Sequence, residues 1–162
     1  MALGAQLAAH LGLPYAFASH FAPQQMLQAV ALYRQQFKPS EQLAQPYVML
    51  GFNVFAADTD DEARLLATSM QQAFVNLRSG RPGLLQPPQA GYLESLGPPE
   101  RALIDSVLSC AAVGAHDTVR RELGAFIERT VADELMVTSQ IFDHAARVHS
   151  FEIVAAARDE PD

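Results

Sequence analysis

Two short apolar runs end in polar residues able to do chemistry. Tyr15–Ser19 leads into His20, and Leu135–Ser139 leads into Gln140. Parallel strands gather chemistry at their C-terminal tips. A histidine at such a tip can hydrogen-bond a ligand or move a proton near neutral pH. Its plainer role is to satisfy a loop carbonyl, and position alone does not separate the two. Ser19, Ser139 and Gln140 add hydroxyl and amide groups at the same tips.

Other reactive types read as structural. His144 and His149 are five apart on an expected helix, whereas helical metal pairs prefer a spacing of four, so both read as surface residues. Cys110 lies in a small, apolar segment with no adjacent histidine, which fits a buried hydrophobe rather than a nucleophile. Asp58, Asp60 and Asp61 read as charge complementing a helix start. No phosphate-binding loop, dinucleotide fingerprint or local serine-hydrolase signature is present.

The elements that must position these residues alternate between helix and strand. Gly4–Leu11 reads as a short helix, with Leu3, Leu7 and Leu11 at helical spacing, ended by Gly12 and blocked by Pro14. Tyr15–Ser19 reads as a buried strand. Pro23 opens a helix to about Phe37, with Met26, Val30 and Phe37 on its buried stripe. Tyr47–Ala56 is the clearest strand; apart from Asn53 it is nearly continuous in apolar residues, as in a parallel strand covered on both faces. Thr59 and Glu62 have capping-box spacing, and a long helix is expected over Asp60–Leu77. Ser79–Gly83 breaks it, and a Pro- and Gly-rich excursion runs to Pro99. Helices are expected over Pro99–Leu108, Asp117–Thr130 and Asp143–Ala157, with a strand at Leu135–Ser139. Three strands alternating with helices imply a parallel α/β sheet.

Composition sets the class. The chain has 162 residues, 49% hydrophobic and 18% charged, which suits one globular domain. Residues 1–158 are expected to form it, with 159–162 as a disordered tail. A net charge of −7 with scattered basic residues argues against nucleic-acid binding. The lone cysteine fits a reducing, cytoplasmic setting. Met1–Ala9 does not read as a signal peptide. The longest apolar stretch, Tyr47–Ala57, falls far short of the ~20 residues that span a bilayer, so no membrane role is expected.

Five segments in order carry a resemblance to a known family. They are Leu11-Gly-Leu-Pro-Tyr-Ala-Phe-Ala-Ser-His-Phe-Ala-Pro23, the run Pro46–Ala63 containing Tyr-Val-Met-Leu-Gly-Phe-Asn-Val-Phe-Ala-Ala-Asp-Thr-Asp, Arg78-Ser-Gly-Arg-Pro-Gly83, Leu108-Ser-Cys-Ala-Ala-Val-Gly114 and Asp133-Glu-Leu-Met-Val137. Together they resemble the C-terminal half of bacterial luciferase-like, flavin-dependent monooxygenases, over Gly4 to Arg158. The resemblance implies a partial TIM (β/α) barrel holding the last three or so strand–helix units, with the strands at Tyr15, Tyr47 and Leu135 as the sixth to eighth. It implies reduced FMN, or a related deazaflavin, used with O2 on a small organic substrate. His20 is then the candidate catalytic residue, and Gly4, Ala5, Ser19, Ser139 and Gln140 are the candidate cofactor contacts.

Two departures qualify the match. The family places a glycine–serine turn before the first helix, where it holds the flavin phosphate; this sequence has Met1-Ala2-Leu3 before Gly4. The family also has Gly-Ser/Thr-Pro where this sequence reads Gly114-Ala115-His116, and alanine at a helix N-cap gives up about 1 kcal/mol. A partial barrel leaves open sheet edges. The expectations are therefore self-association, pairing with a separate N-terminal half, or marginal stability, with activity absent from the isolated half. The alternative is a non-catalytic assembly subunit or remnant.

Overall fold

The computed structural model describes residues 2–159. The order is α1 (Ala2–Leu11), β1 (Tyr15–Phe17), a 3-10 turn (Pro23–Gln25), α2 (Met26–Gln36), β2 (Val48–Ala56), α3 (Asp60–Arg78), α4 (Tyr92–Ser95), α5 (Pro98–Leu108), β3 (Ala111–Gly114), α6 (His116–Thr130), β4 (Glu134–Thr138) and α7 (His144–Asp159). Of the expected disordered tail, Asp159 is instead the last residue of α7, and 160–162 lie outside the described residues.

Among the described residues all strand pairing is parallel and passes through β2. β1 pairs with its first three residues, β3 with Asn53–Ala56, and β4 with Met49–Asn53. Along a strand, successive residues turn their backbone groups to opposite edges. Tyr47 accepts from Tyr15 and Asn53 donates to Cys110, so β1 and β3 lie end to end along one edge; Val48 accepts from Asp133 on the other, β4, edge. Among the described residues, the far edges of β1 and β4 carry no further strand.

The side chains of β2 sort into two layers by the same alternation. Val48, Leu50, Phe52 and Val54 are sealed into an outer core with residues of α1, α2 and α6. Phe52 meets Phe126 of α6 at 4.5 Å between ring centroids; burying such a ring contributes roughly 1.5–3 kcal/mol. Phe55 and Ala57 belong to a second, inner core with Ala63, Met70 and Phe74 of α3 and Ile104 of α5. Thus α3 and α5 lie across the sheet from α1, α2 and α6. The excursion expected at Arg81–Pro99 is the middle of a longer inner-face cover that begins with α3. The outer-face helix leading into β4 is α6.

Local chemistry accounts for the element ends. Gly12 follows α1 at φ +63°, where a Cβ would sit 2.6 Å from the Lys38 carbonyl oxygen. Thr59 Oγ1 accepts the Glu62 N–H at 3.2 Å, as its spacing predicts. At the far end of α6, Val131 takes the left-handed conformation at φ 50°. The Arg34 guanidinium holds that turn, donating to the carbonyls of Thr130 and Val131. β3 escapes the sequence pattern because Ala-Ala-Val-Gly is short and has a single strand-favouring side chain, Val113. Small residues are needed there: a Cβ on Gly114 would fall 2.4 Å from Thr118 Cγ2.

The missing cap of α6 is supplied from another helix. Ala115 offers no side-chain cap, but Asp60 Oδ1 accepts its N–H at 2.7 Å and Asp60 Oδ2 accepts the Thr118 hydroxyl at 3.3 Å. Asp60 is therefore a cap across elements as well as helix-start charge. These hydrogen bonds, the one from Ala115 first, hold its carboxyl below the usual carboxylate range. A lowered folded-state value stabilises the fold above the unfolded value, near 4, and loses that contribution as pH falls through the folded value. Asp60→Asn is expected to melt at lower temperature than the parent at pH 7, with the difference vanishing towards pH 2. Thermal melts across that range check it; a constant difference would contradict the assignment.

Candidate functional site

The inner face of the sheet is an open wall with one polar knot. Paired residues of parallel strands share a face, so Met49, Gly51 and Asn53 of β2 stand beside Glu134, Met136 and Thr138 of β4. Ala16 of β1 lies on the same face, opposite Met49. α3 and α5 cover only the end of this wall nearest Phe55. Met136 is 51% exposed, and Phe21 and Phe142 beyond the strand tips are similarly open.

His20 lies over this wall. A Cβ on Gly51 would fall 1.9 Å from His20 Nδ1 and 2.7 Å from Cε1, so the ring occupies the space that the glycine leaves. Nδ1 is enclosed and has no hydrogen-bond partner within the protein. Burial alone lowers the His20 pKa from its ordinary value, which leaves the imidazole neutral at pH 7. A neutral ring can donate through one nitrogen and accept through the other.

The loop carrying His20 is anchored to β2 twice. Ser19, fully buried, donates its hydroxyl to the Gly51 carbonyl at 2.6 Å. Asn53 Nδ2 donates to the His20 carbonyl at 3.1 Å. Asn53 Oδ1 in turn accepts the Thr138 hydroxyl at 2.7 Å. The Ser19 hydroxyl is thus committed to holding the loop. Gly51, Asn53 and Thr138 were not among the candidates read from the sequence. Two signals point to them: a glycine inside a strand often marks a close approach, and a buried asparagine must be satisfied by specific partners.

The remaining candidates fall in two places. Ser139, 8% exposed, follows β4 and lies 3.4 Å from Ser150 of α7, whose hydroxyl also accepts the Ala56 N–H at 2.9 Å. Gln140 beside it is exposed. Gly4 lies in the first turn of α1, where backbone N–H groups lack helical acceptors. It is exposed with open space around it, while Ala5 packs into the outer core. A three-residue connection, Gly12–Pro14, reverses the chain from α1 into β1. That reversal brings Gly4 to the end of the sheet where β1 leads into His20.

The groups read as structural are so placed. Burial pushes the Cys110 thiol up, and its Sγ lies 4.0 Å from Met26 Sδ. His149 is gripped by Asp58 at 2.8 Å and Glu152 at 3.4 Å, which raises its pKa and ties α7 to the exit of β2. Among the described residues no cluster of three or more His, Cys, Asp or Glu is placed to hold a metal, and no helix is long and apolar enough to cross a membrane.

A parallel α/β sheet with an open inner wall defines the class, and the comparisons give the family. The family model for luciferase-like monooxygenases matches residues 3–134. The chain is 50% identical over 156 residues to a luciferase-like monooxygenase of Escherichia coli K12, covering 96% of this chain and 47% of that one. It superposes on apo-MsnO8 with a TM-score of 0.85 at 30% identity, covering 100% of this chain and 50% of that one. The oxygenating constituent of 3,6-diketocamphane monooxygenase from Pseudomonas putida, solved with FMN, shares the fold at a TM-score of 0.59 and 20% identity, over 98% of this chain and 46% of that one. The chain belongs to the luciferase-like monooxygenase family and spans about half the length of these relatives.

The fit of His20 against Gly51 is directly testable. Gly51→Ala is expected to lower stability by about 1–3 kcal/mol, as overpacking does. Urea denaturation of a double-mutant cycle with His20→Ala checks the cause: the loss should largely disappear when the ring is absent. An equal loss in both backgrounds would mean that the ring does not fill this space.

Proposed function

We propose that this chain forms the C-terminal wall of a flavin-dependent monooxygenase that oxidises a small organic substrate with O2. The observation that carries the reading is the fit of the whole chain onto half of apo-MsnO8, supported by the matching family model and by the FMN-bound diketocamphane enzyme among its structural neighbours.

The residues present fit reduced FMN or a deazaflavin. Met49 and Met136, beside the His20 ring seated on Gly51, offer an apolar surface for a flat ring. His20 stands at its border, with its partnerless Nδ1 turned into the Gly51 recess. When bound, the flavin supplies the electrons that reduce O2. His20 is the residue to hold or move a proton there. The open first turn of α1 at Gly4 and the β4 exit at Ser139 and Gln140 are the further contacts, with Ser19 fixing His20 from behind, whereas Ala5, which the sequence also offered, is sealed into the outer core. The cover formed by α3 and α5 excludes water from the end of the wall nearest Phe55.

The wall is completed by a separate N-terminal half or by a second copy of the chain. The far edges of β1 and β4 favour this, as do the exposed Leu3, Leu7 and Leu11 along α1. The assembly works in the reducing cytoplasm.

Titration with reduced FMN, read alongside oligomeric mass, tests this. The isolated monomer should show no saturable binding. Saturation at micromolar flavin is expected once the chain has self-associated or is mixed with the N-terminal half of the Escherichia coli relative. Absence of binding in every assembled form would overturn the proposal.

A further inference from the structure

Asn53 stands apart on the inner face. It is fully buried although Met136 on the same wall is half open, and its side chain joins two strand ends while its backbone meets a third. Oδ1 takes the Thr138 hydroxyl at the end of β4, and Nδ2 reaches the His20 carbonyl beyond the end of β1. Its own N–H donates to the Cys110 carbonyl at 3.0 Å, at the entry to β3. An apolar residue would fill the same volume without these bonds, but it would leave the His20 carbonyl and the Thr138 hydroxyl without these partners. Gly51 supplies the space for the ring, and the Ser19 hydroxyl fixes the residue before it. Asn53 is the side chain that fixes the backbone of His20 itself.

We infer that Asn53 is a positioning residue, oriented by Thr138, that holds the His20 imidazole edge-on against the inner wall in the orientation a bound ligand meets. The inference rests on the reading of His20 as the group that faces the flavin. Without Asn53 the loop at 18–22 keeps its Ser19 anchor, but the His20 carbonyl is freed and the ring swings from the Gly51 recess into solvent. Thr138 acts one step further back: without its hydroxyl, Asn53 Oδ1 is unpaired and the amide is free to rotate away from His20.

The test reads the His20 ring directly, with no flavin present. It follows the histidine titrations by NMR in the full chain, with His20 assigned by a His20→Gln variant. In the parent, His20 titrates below the ordinary imidazole value of about 6.5 because burial disfavours its charged form; no charged neighbour contributes. In Asn53→Ala its midpoint is expected to rise towards that ordinary value while the other four of the five histidines stay put. Thr138→Val should move it in the same direction by less, and Thr138→Ser, which keeps the hydroxyl, should restore the parent midpoint. Should Asn53→Ala fail to fold, the Thr138 pair decides. A His20 midpoint unchanged in folded Asn53→Ala, or in both Thr138 variants, would overturn the inference. Failure of flavin binding would leave this readout untouched, so the two readings fail separately.

Discussion

Every strand pairing among the described residues is made to β2, so the nine residues Val48–Ala56 must be satisfied on four sides at once. Two backbone edges need parallel partners, and two faces need layers. The even-numbered residues seal against α1, α2 and α6, and Phe55 seals against α3 and α5. Apolar burial on both faces contributes most of what holds such a sheet together. The polar links to distant elements serve mainly to fix where the layers sit. Asp60 caps α6 from α3, Ser150 takes the Ala56 N–H, and Arg34 closes the end of α6.

Against that background, Gly51 and Asn53 are departures from what a buried strand would choose. Glycine in a strand gives up packing and backbone entropy, and a buried asparagine must recover its desolvation through specific bonds. Both departures face inward and both meet His20. Stability is conceded at the two positions where the wall holds a titratable ring with a partnerless nitrogen. Local cost concentrated around one titratable group is the pattern expected of functional or strained sites, and it supports the proposed reading of this wall. The open remainder of the wall is consistent with a chain that spans half the length of its relatives.

Legibility in the sequence followed the strength of each local signal. β2 was readable because a long apolar run has few alternatives, and α1 ended where Gly12 said it would. β3 was hidden because Ala-Ala-Val-Gly is too short and too small to show a strand period. Capping-box spacing at Thr59 and Glu62 announced α3, but it carries no information about which side of the sheet receives the helix. Only the contacts of Phe55 settle that point. His20 was legible by type and place. Its setting was not, since Asn53 reads as an interruption of a strand, and Gly51 passes unnoticed, until the loop from β1 is laid over them. The uncapped start of α6 was legible as a deficit; its remedy, Asp60, lies 55 residues away in sequence.

Amide hydrogen exchange on the assembled protein, with and without reduced FMN, tests the central claim most directly. The account predicts added protection at 18–20, 51–53 and 138–140, where the loop after β1, the inner face of β2 and the exit of β4 meet, and little change on the outer faces of α2 and α6. Protection confined to those outer helices, with the His20–Gly51–Asn53 region unchanged, would contradict it.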